Sequence, residues 1–235
     1  MHTSISRILF FLLILLASPA AESQEILNRT DPEGRKEGMW KKTDSAGRLI
    51  YTGRFSAGIP VDTFRYHYPD GKLKTLSVFS DHGRQVKSVS WYRNGRLMAI
   101  GNYLNEKKDG RWQFFSESDT VKVSEENYAG GLKDGVSTVF FQDGTISETV
   151  TWKLDVRNGD WTIFYTDGRI KMKGSYLEGE KSGPFNFYFP SGKVMMTGEY
   201  LLGHQHGVWK YYDEEGAVVK TETYDHGILV DHTPK

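Results

Sequence analysis

The sequence predicts an all-β fold, an elongated stack of antiparallel β-hairpins built from about eight units of 24 residues. An aromatic residue recurs every 24 residues, and once after 25, at Phe55, Phe79, Tyr103, Tyr128, Trp152, Tyr176, Tyr200 and Tyr224. A turn position keeps the same period at Gly47, Gly71, Gly95, Asp119, Gly144, Gly168, Gly192 and Gly216. A fixed period of this length indicates that each copy is one supersecondary unit and that the units stack on each other.

The first residues of the chain predict a secretory signal peptide, residues 1–20. Arg7 precedes an apolar run from Ile8 to Ala17, and Ser18-Pro19-Ala20 supplies the small residues that a signal peptidase reads. The run is short for a membrane span, and a retained N-terminal anchor is the alternative. We therefore expect export to the periplasm or the cell exterior. Residues 21–33 are polar and lack the repeat pattern, so they predict a linker.

The composition excludes several classes of protein. The chain has no cysteine, and therefore no disulfides, thiolate nucleophiles or cysteine metal sites. Lys+Arg and Asp+Glu both number 30, and there is no polybasic block. This balance argues against nucleic acid or an anionic membrane surface as the partner.

The copy from Gly159 to Ser182 shows the unit most clearly. Inward and outward residues alternate on both sides of Asp167-Gly168, which predicts two strands joined by a two-residue type I′ turn. The register then pairs Tyr165 with Ile170, Ile163 with Met172 and Trp161 with Gly174, all on one face. A large ring can shield the backbone of a glycine, and the same pairing is expected for Trp40 with Gly53 and for Phe185 with Gly198. The pairing of a ring with a glycine is not expected for Trp209, which faces Glu222. In the fourth copy the extra residue is expected to shift the register beside Trp112.

Glycine-bearing connectors, such as Leu177 to Gly183, reverse the chain between copies. Gly34 and Gly38 look like the connector of a missing earlier copy, which predicts an N-terminal cap. The repeat domain is thus expected to span residues 34–230, followed by a tail at 231–235.

The run from Gly198 to Trp209, Gly-x-Tyr-x-x-Gly-x-x-x-Gly-x-Trp, resembles a MORN repeat. The 24-residue unit with its Asp-Gly turn resembles more closely the MORN variant of bacterial YwqK-type proteins, which are described as antitoxin components. The resemblance covers residues 34–230. It implies a ribbon of hairpins used for protein contacts, and an antitoxin that binds a toxin protein. With a signal peptide, that toxin would itself be exported.

A second aromatic column is predicted on the sheet face opposite Trp161, and it is the candidate partner-binding site: Trp91, Phe115, Phe140, Phe164, Tyr188 and Tyr212. In the copy at 159–182 the expected cross-strand neighbours of this column are Lys171 and Lys173. Exposed rings flanked by lysine stems can bind a protein strand or a sugar chain. The alternative is that the rings only cover the outer face against each other and against Lys and Arg stems.

Catalysis is not expected, because no triad, phosphate loop or dinucleotide motif occurs in the sequence. No cofactor or metal is predicted. His204 and His206 can share a strand face, with Asp225 or His226 one copy away, but a solvated connector is the simpler interpretation.

The favoured function is a secreted, non-enzymatic scaffold that binds a protein, with a cell-wall or glycan-binding module as the alternative. Two further alternatives are a fragment of a tyrosine-aspartate repeat shell and a metal hydrolase built on His204 and His206. The oligomeric state is left open.

Overall fold

The structure is a computed structural model that describes residues 26–234, so the predicted signal peptide lies outside the described residues. The described residues form one open antiparallel sheet of consecutive hairpins, and none of them is helical. Accordingly, no helix in this part of the chain is long and apolar enough to cross a membrane. The predicted all-β ribbon is confirmed.

Twenty strands follow one another across the sheet. The first ten are β1 (Arg29–Thr30), β2 (Lys36–Thr43), β3 (Leu49–Ser56), β4 (Ile59–His67), β5 (Leu73–Ser80), β6 (Gln85–Trp91), β7 (Leu97–Leu104), β8 (Lys107–Phe115), β9 (Lys122–Ala129) and β10 (Leu132–Lys133). The others are β11 (Gly135–Phe140), β12 (Ile146–Lys153), β13 (Val156–Phe164), β14 (Ile170–Leu177), β15 (Glu180–Lys181), β16 (Gly183–Tyr188), β17 (Val194–Leu201), β18 (His204–Tyr212), β19 (Val218–Asp225) and β20 (Ile228–Pro234). β10 and β15 are short pieces that pair with β9 and β14 just before β11 and β16 take over that pairing.

The predicted hairpin register is largely confirmed. In β13–β14, Trp161 faces Gly174 and Ile163 faces Met172. The other predicted pairs also form, namely Trp40 with Gly53, Phe185 with Gly198 and Trp209 with Glu222. The alternating pattern and the position of the glycine therefore predict the strand pairing correctly up to the register shift beside the turn.

The turn at Asp167-Gly168 is not the predicted type I′ turn. The amide of Gly168 donates to the Tyr165 carbonyl at 3.0 Å, and the amide of Tyr165 donates to the Arg169 carbonyl at 2.8 Å. Within this turn only Gly168 has positive φ, 84°, which is the pattern of a type I turn followed by a glycine bulge. Tyr165 therefore does not face Ile170. Phe164 takes that place, across a register shift.

Type I′ geometry occurs in the connectors instead. Glu178 and Gly179, between β14 and β15, both have positive φ, 50° and 92°. Leu154 and Asp155 adopt the same pair of conformations, at 50° and 66°. Two consecutive left-handed residues match the twist of the flanking strands, so the tightest reversals of the chain lie between copies.

The inserted residue of the fourth copy is absorbed within its turn. The Ser116 amide donates to the Val121 carbonyl at 2.8 Å, and Thr120 adopts the positive φ, 67°, that glycine has in other copies. Trp112 faces Glu126, the residue that corresponds to Gly174. The expected register shift beside Trp112 is therefore wrong, because the longer loop accommodates the extra residue.

The ordered sheet extends beyond both predicted boundaries. Residues 29–30, which were assigned to the linker 21–33, form β1 and pair with β2, and Gly34 lies in the turn between them rather than in a connector. The Trp40 indole donates to the Arg29 carbonyl at 3.0 Å, and the Lys41 amide donates to the Asn28 side chain at 2.7 Å. These bonds supply partners for the outer edge of β2. The β1–β2 hairpin thus covers this edge of the described sheet. At the other end, residues 231–234 of the expected tail lie in β20.

The core lies on the face that carries Trp161. Its most buried cluster is Met172, Phe185 and Trp209. The ring that covers each glycine comes from the following hairpin: a Cβ built on Gly174 meets the ring of Phe185, and one built on Gly198 meets Trp209. The sequence predicted a covering ring from the same hairpin. In the structure the covering ring comes from the next copy instead. Each contact between a ring and a glycine therefore joins two neighbouring copies.

Hydrogen bonds repeat along both long edges of the ribbon. At the connector edge, the Gly179 amide donates to the Arg157 carbonyl at 2.9 Å, and the Gly203 amide donates to the Lys181 carbonyl at 3.0 Å. At the turn edge, the Tyr165 hydroxyl donates to the Tyr188 carbonyl at 2.7 Å. Each copy is thus fastened to the next at both ends of its strands.

Candidate functional site

The six predicted site residues occupy one equivalent position in six successive hairpins. Each lies at the register shift that ends the first strand of its hairpin, close to the turn edge. All six side chains are half-buried. They are Trp91, Phe115, Phe140, Phe164, Tyr188 and Tyr212. The structure therefore places the predicted residues in one column.

The cross-strand partners of this column are mostly aliphatic. Phe164 faces Ile170, whereas Lys171 and Lys173 were expected, because the bulge moves the pairing by one residue. The full set of pairs is Trp91 with Leu97, Phe115 with Lys122, Phe140 with Ile146, Phe164 with Ile170, Tyr188 with Val194, and Tyr212 with Val218. We call these twelve residues the aromatic–aliphatic strip. The aliphatic side was missed, although it has the same 24-residue period in the sequence.

The rings of the strip do not cover one another. Among the described residues, none of the six forms a ring–ring contact, whereas the rings of the core face make many. Phe140 is approached by the Lys122 ammonium, 4.3 Å from the ring centroid. Ile146 and Ile170 are 40% and 39% exposed. The strip thus offers apolar surface from six copies.

The backbone beneath the strip is anchored by tyrosines of the preceding copies. The hydroxyls of Tyr68, Tyr92 and Tyr165 donate to the carbonyls of Trp91, Phe115 and Tyr188 at 2.8, 2.9 and 2.7 Å. Such bonds fix the spacing of the strip between these copies.

The opposite face has a different arrangement, in which cations lie over the core rings. The Lys108 ammonium is 4.7 Å from the Trp112 ring centroid, and the Lys181 ammonium is 4.9 Å from that of Tyr200. Burial lowers the pKa of Lys108, which the nearby Glu126 carboxylate partly opposes. A recess of about 160 Å³ lies among Trp161, Ile163, Lys171, Met172, Lys181, Phe185, Phe187 and Met195. It is smaller than the pockets of about 300–1,000 Å³ that usually hold small-molecule ligands, and its volume suits a single group about the size of benzene.

Two glutamates replace the covered glycine, and one of them organises the C-terminal end. Glu222 accepts hydrogen bonds from the Tyr211 and Tyr224 hydroxyls at 2.6 and 3.0 Å, and Lys220 lies 2.8 Å away. The hydrogen bond from Lys220, followed by that from Tyr211, lowers the pKa of Glu222 to about 2. The glutamate is thus a charged packing residue, held by neighbours on its own face.

The histidines of the last connector are brought together only in part. His206 of β18 lies with Asp225 and His226, and the possible ligand atoms of the three residues are all within 4.8 Å of one another. His204 is outside this group. Of the described residues, this is the one cluster with metal-ligand chemistry.

Fold and strip together define a repeat protein, an open ribbon of hairpins with one apolar strip along its turn edge. The family model of the MORN repeat variant matches residues 157–178 and 205–226. The two matches start 48 residues apart, two periods of 24, and so have the same phase in the repeat. The two matched segments therefore resemble the MORN repeat variant, and together they make up less than half of the chain.

No curated protein matches the sequence. Among solved structures, the Tc holotoxin pore of Photorhabdus luminescens, mutated in TccC3, is 11% identical with a TM-score of 0.21, and a TcdB2-TccC3-Cdc42 complex is 8% identical with a TM-score of 0.16. Both are matched over 83% of this chain, which spans 11% and 15% of those chains. A porin-like protein from Bacteroides uniformis is 9% identical, with 83% and 94% of the two chains covered and a TM-score of 0.18. At these TM-scores the likeness carries no functional meaning for this chain.

Proposed function

We propose that this protein is an exported, non-enzymatic scaffold that binds another protein along the aromatic–aliphatic strip. The observation that carries the proposal is the strip itself, a partly exposed apolar column that continues through six hairpins. Large contiguous apolar patches are rare on monomeric proteins, and where they occur they mark interaction sites. No described segment of the chain lies over it, since all described strands belong to one sheet.

The chemistry of the strip favours a protein partner. Aromatic residues are enriched at the centres of protein interfaces, where they bury large areas at a low entropic cost. The formal net charge of the chain is zero, so the protein has no overall positive charge to attract nucleic acid. An extended or β-rich partner that contacts several copies would gain affinity from each one.

The finer proposal concerns the identity of the partner. From the resemblance of the repeat unit to YwqK-type proteins we propose an antitoxin role, in which the scaffold covers a toxin protein. The N-terminal signal sequence would place both proteins outside the cytoplasm. In this role the strip blocks a functional surface of the exported toxin.

The binding test compares two edges of the same ribbon. Phe164→Ser combined with Tyr188→Ser removes the centre of the strip. The matched control is Leu154→Ser with Leu177→Ser, two leucines of the connector edge that are 54% and 57% exposed. Far-UV circular dichroism first verifies that both variants are folded.

Each protein is used to capture partners from an extract of exported proteins, and separately from purified peptidoglycan. We expect the strip variant to lose a protein that the wild type and the control retain, and that protein is then purified and titrated against all three. Equal capture by the strip variant, or capture of peptidoglycan alone, contradicts the proposal. The second result would favour the glycan-binding alternative.

The antitoxin role is tested by co-expression with the exported protein encoded next to this one. We expect growth inhibition by that neighbour to be relieved by the wild type and by the connector-edge control, but not by the strip variant. Relief by the strip variant would refute the strip as the neutralising surface. A harmless neighbour would refute the antitoxin role and leave protein binding to be judged by the capture experiment.

A further inference from the structure

We propose that the last two copies hold a divalent transition-metal ion between His206, Asp225 and His226. The Nδ1 atoms of His206 and His226 lie 3.6 and 2.6 Å from Oδ1 of Asp225. The two imidazole rings are 5.2 Å apart between centroids. A tetrahedral ion with ligands at about 2.1 Å sets its donor atoms about 3.4 Å apart, so small side-chain rotations are enough to bring these three into place.

The backbone already holds the three residues in position. His206 lies in β18, Asp225 is the last residue of β19, and His226 opens the connector to β20 with φ of 48°. The amide of Gly227 donates to the Gln205 carbonyl at 2.8 Å, which fixes this connector against β18. Three ligands, from the paired strands β18 and β19 and the connector that follows β19, thus converge without a change in the main chain.

One atom of the cluster needs a partner. Nδ1 of His206 is buried from solvent and has no hydrogen-bond partner. A desolvated imidazole nitrogen without a partner is costly, and native structures normally satisfy such groups. A metal ion between the two histidines would satisfy it.

The other copies show that the fold does not require these residues. One copy earlier, Ser182, Leu201 and Leu202 occupy the three equivalent positions. Leu201 pairs with His204 as Asp225 pairs with Ile228, and Leu202 has the same left-handed conformation as His226, with φ of 51°, whereas Ser182 lies between β15 and β16. The replacement of Ser, Leu and Leu by His, Asp and His is therefore not required by the backbone, and what the three new residues share is the ability to bind a metal ion.

The chain also contains an internal control. The tripeptide of the site, Asp225-His226-Gly227, recurs as Asp81-His82-Gly83. There the glycine lies against Ile59 and Pro60, whereas Gly227 lies against His204. The repeated tripeptide has an aspartate and a histidine but no third ligand.

The ligand set selects the class of ion. Two imidazoles and one carboxylate suit Zn²⁺, Cu²⁺ or Ni²⁺, whereas Mg²⁺ and Ca²⁺ prefer oxygen ligands alone. Three protein ligands leave at least one coordination position for water. Because His206 lies on β18 while Asp225 and His226 lie at the end of its partner strand β19, the ion would fasten these two strands and the connector to β20 together and stabilise the C-terminal end of the sheet.

The experiment uses the protein purified without a polyhistidine tag and freed of metal with a chelator. Isothermal titration with Zn²⁺ at neutral pH is expected to show one ion bound per chain, and Mg²⁺ is expected to give no binding. His206→Ser, Asp225→Leu and His226→Leu take their residues from the preceding copy, so they should fold. Each is expected to weaken Zn²⁺ binding by about tenfold or more, and His82→Ala to leave it unchanged.

A second measurement follows thermal unfolding with and without Zn²⁺. We expect the ion to raise the unfolding midpoint of the wild type and of His82→Ala, but not that of His206→Ser. The proposal is overturned if the wild type binds no Zn²⁺ at one ion per chain, or if the three site variants bind it as tightly as the wild type.

Discussion

The glycines beneath the aromatic rings give a direct test of how copies are joined. In Gly198→Ala, the new Cβ would lie 2.1 Å from Cδ2 and 2.3 Å from Cε2 of Trp209. Carbon atoms pack at about 3.5–4.0 Å, so the indole would have to move by about 1.5 Å. Trp209 has no exposed surface and therefore no free space in which to move. Overpacking typically costs about 1–3 kcal/mol, and we expect a loss near 3 kcal/mol in the free energy of unfolding.

The assay is urea unfolding followed by far-UV circular dichroism, with a double-mutant cycle as control. Elsewhere in the chain, Ser77 faces Ser88 where other copies have the glycine and the covering ring, so Trp209→Ser is a replacement that the repeat tolerates. In the Trp209→Ser background the added methyl group has space, and Gly198→Ala should cost less than about 0.5 kcal/mol. The reasoning is refuted if Gly198→Ala alone lowers the free energy of unfolding by less than about 0.5 kcal/mol, or if the effects of the two substitutions on that free energy are additive.

Three further predictions concern single groups. Tyr165→Phe removes the hydrogen bond to the Tyr188 carbonyl and should lower the free energy of unfolding by about 1 kcal/mol in the same assay; an unchanged value would contradict this. Glu106→Gly should raise stability by about 0.5–1 kcal/mol, because this exposed residue has φ of 65° in a connector where most copies have glycine; a loss of stability would count against the left-handed assignment. Glu222, with its pKa lowered to about 2, stabilises the fold fully above its ordinary value of 4.5, and this contribution is lost as the pH falls from there towards 2. Glu222→Gln should therefore weaken the acid dependence of the unfolding midpoint over that range, and an unaltered dependence would refute the role of Glu222.

The period, the strand order and most of the register could be predicted from the sequence. Alternation and the facing of Trp161 with Gly174 are local properties of one hairpin, and the structure retains them. The turn types could not be assigned in the same way. An Asp-Gly pair fits both a type I′ turn and a type I turn with a glycine bulge, and the bonds of Tyr165 decide between them. Leu154 carries no sequence signal for left-handed geometry and Asp155 only a weak one, so the surrounding sheet imposes this conformation on the pair.

The sequence predicted which aromatic residues form the column of the candidate site, but not the residues that lie opposite them on the neighbouring strands. The aromatic column was visible as a periodic pattern, whereas its partner Ile170 was hidden by a bulge that moves the pairing by one residue. The covering of Gly174 by Phe185 was missed for a related reason, because contacts between copies depend on the bulged strand geometry and not on spacing alone. Asp225 and His226 were considered beside His206 from the sequence, but only the connector geometry shows that their ligand atoms converge.

The connector bonds, such as that from the Gly179 amide to the Arg157 carbonyl, fall at the same phase in nearly every copy. Recombination between two copies at equal phase would therefore delete or duplicate a complete module and rejoin matching backbone bonds. The number of copies can change in this way over evolution, because each added or removed copy brings or takes its own core residues. Relatives of different lengths should then carry aromatic–aliphatic strips of proportionally different length.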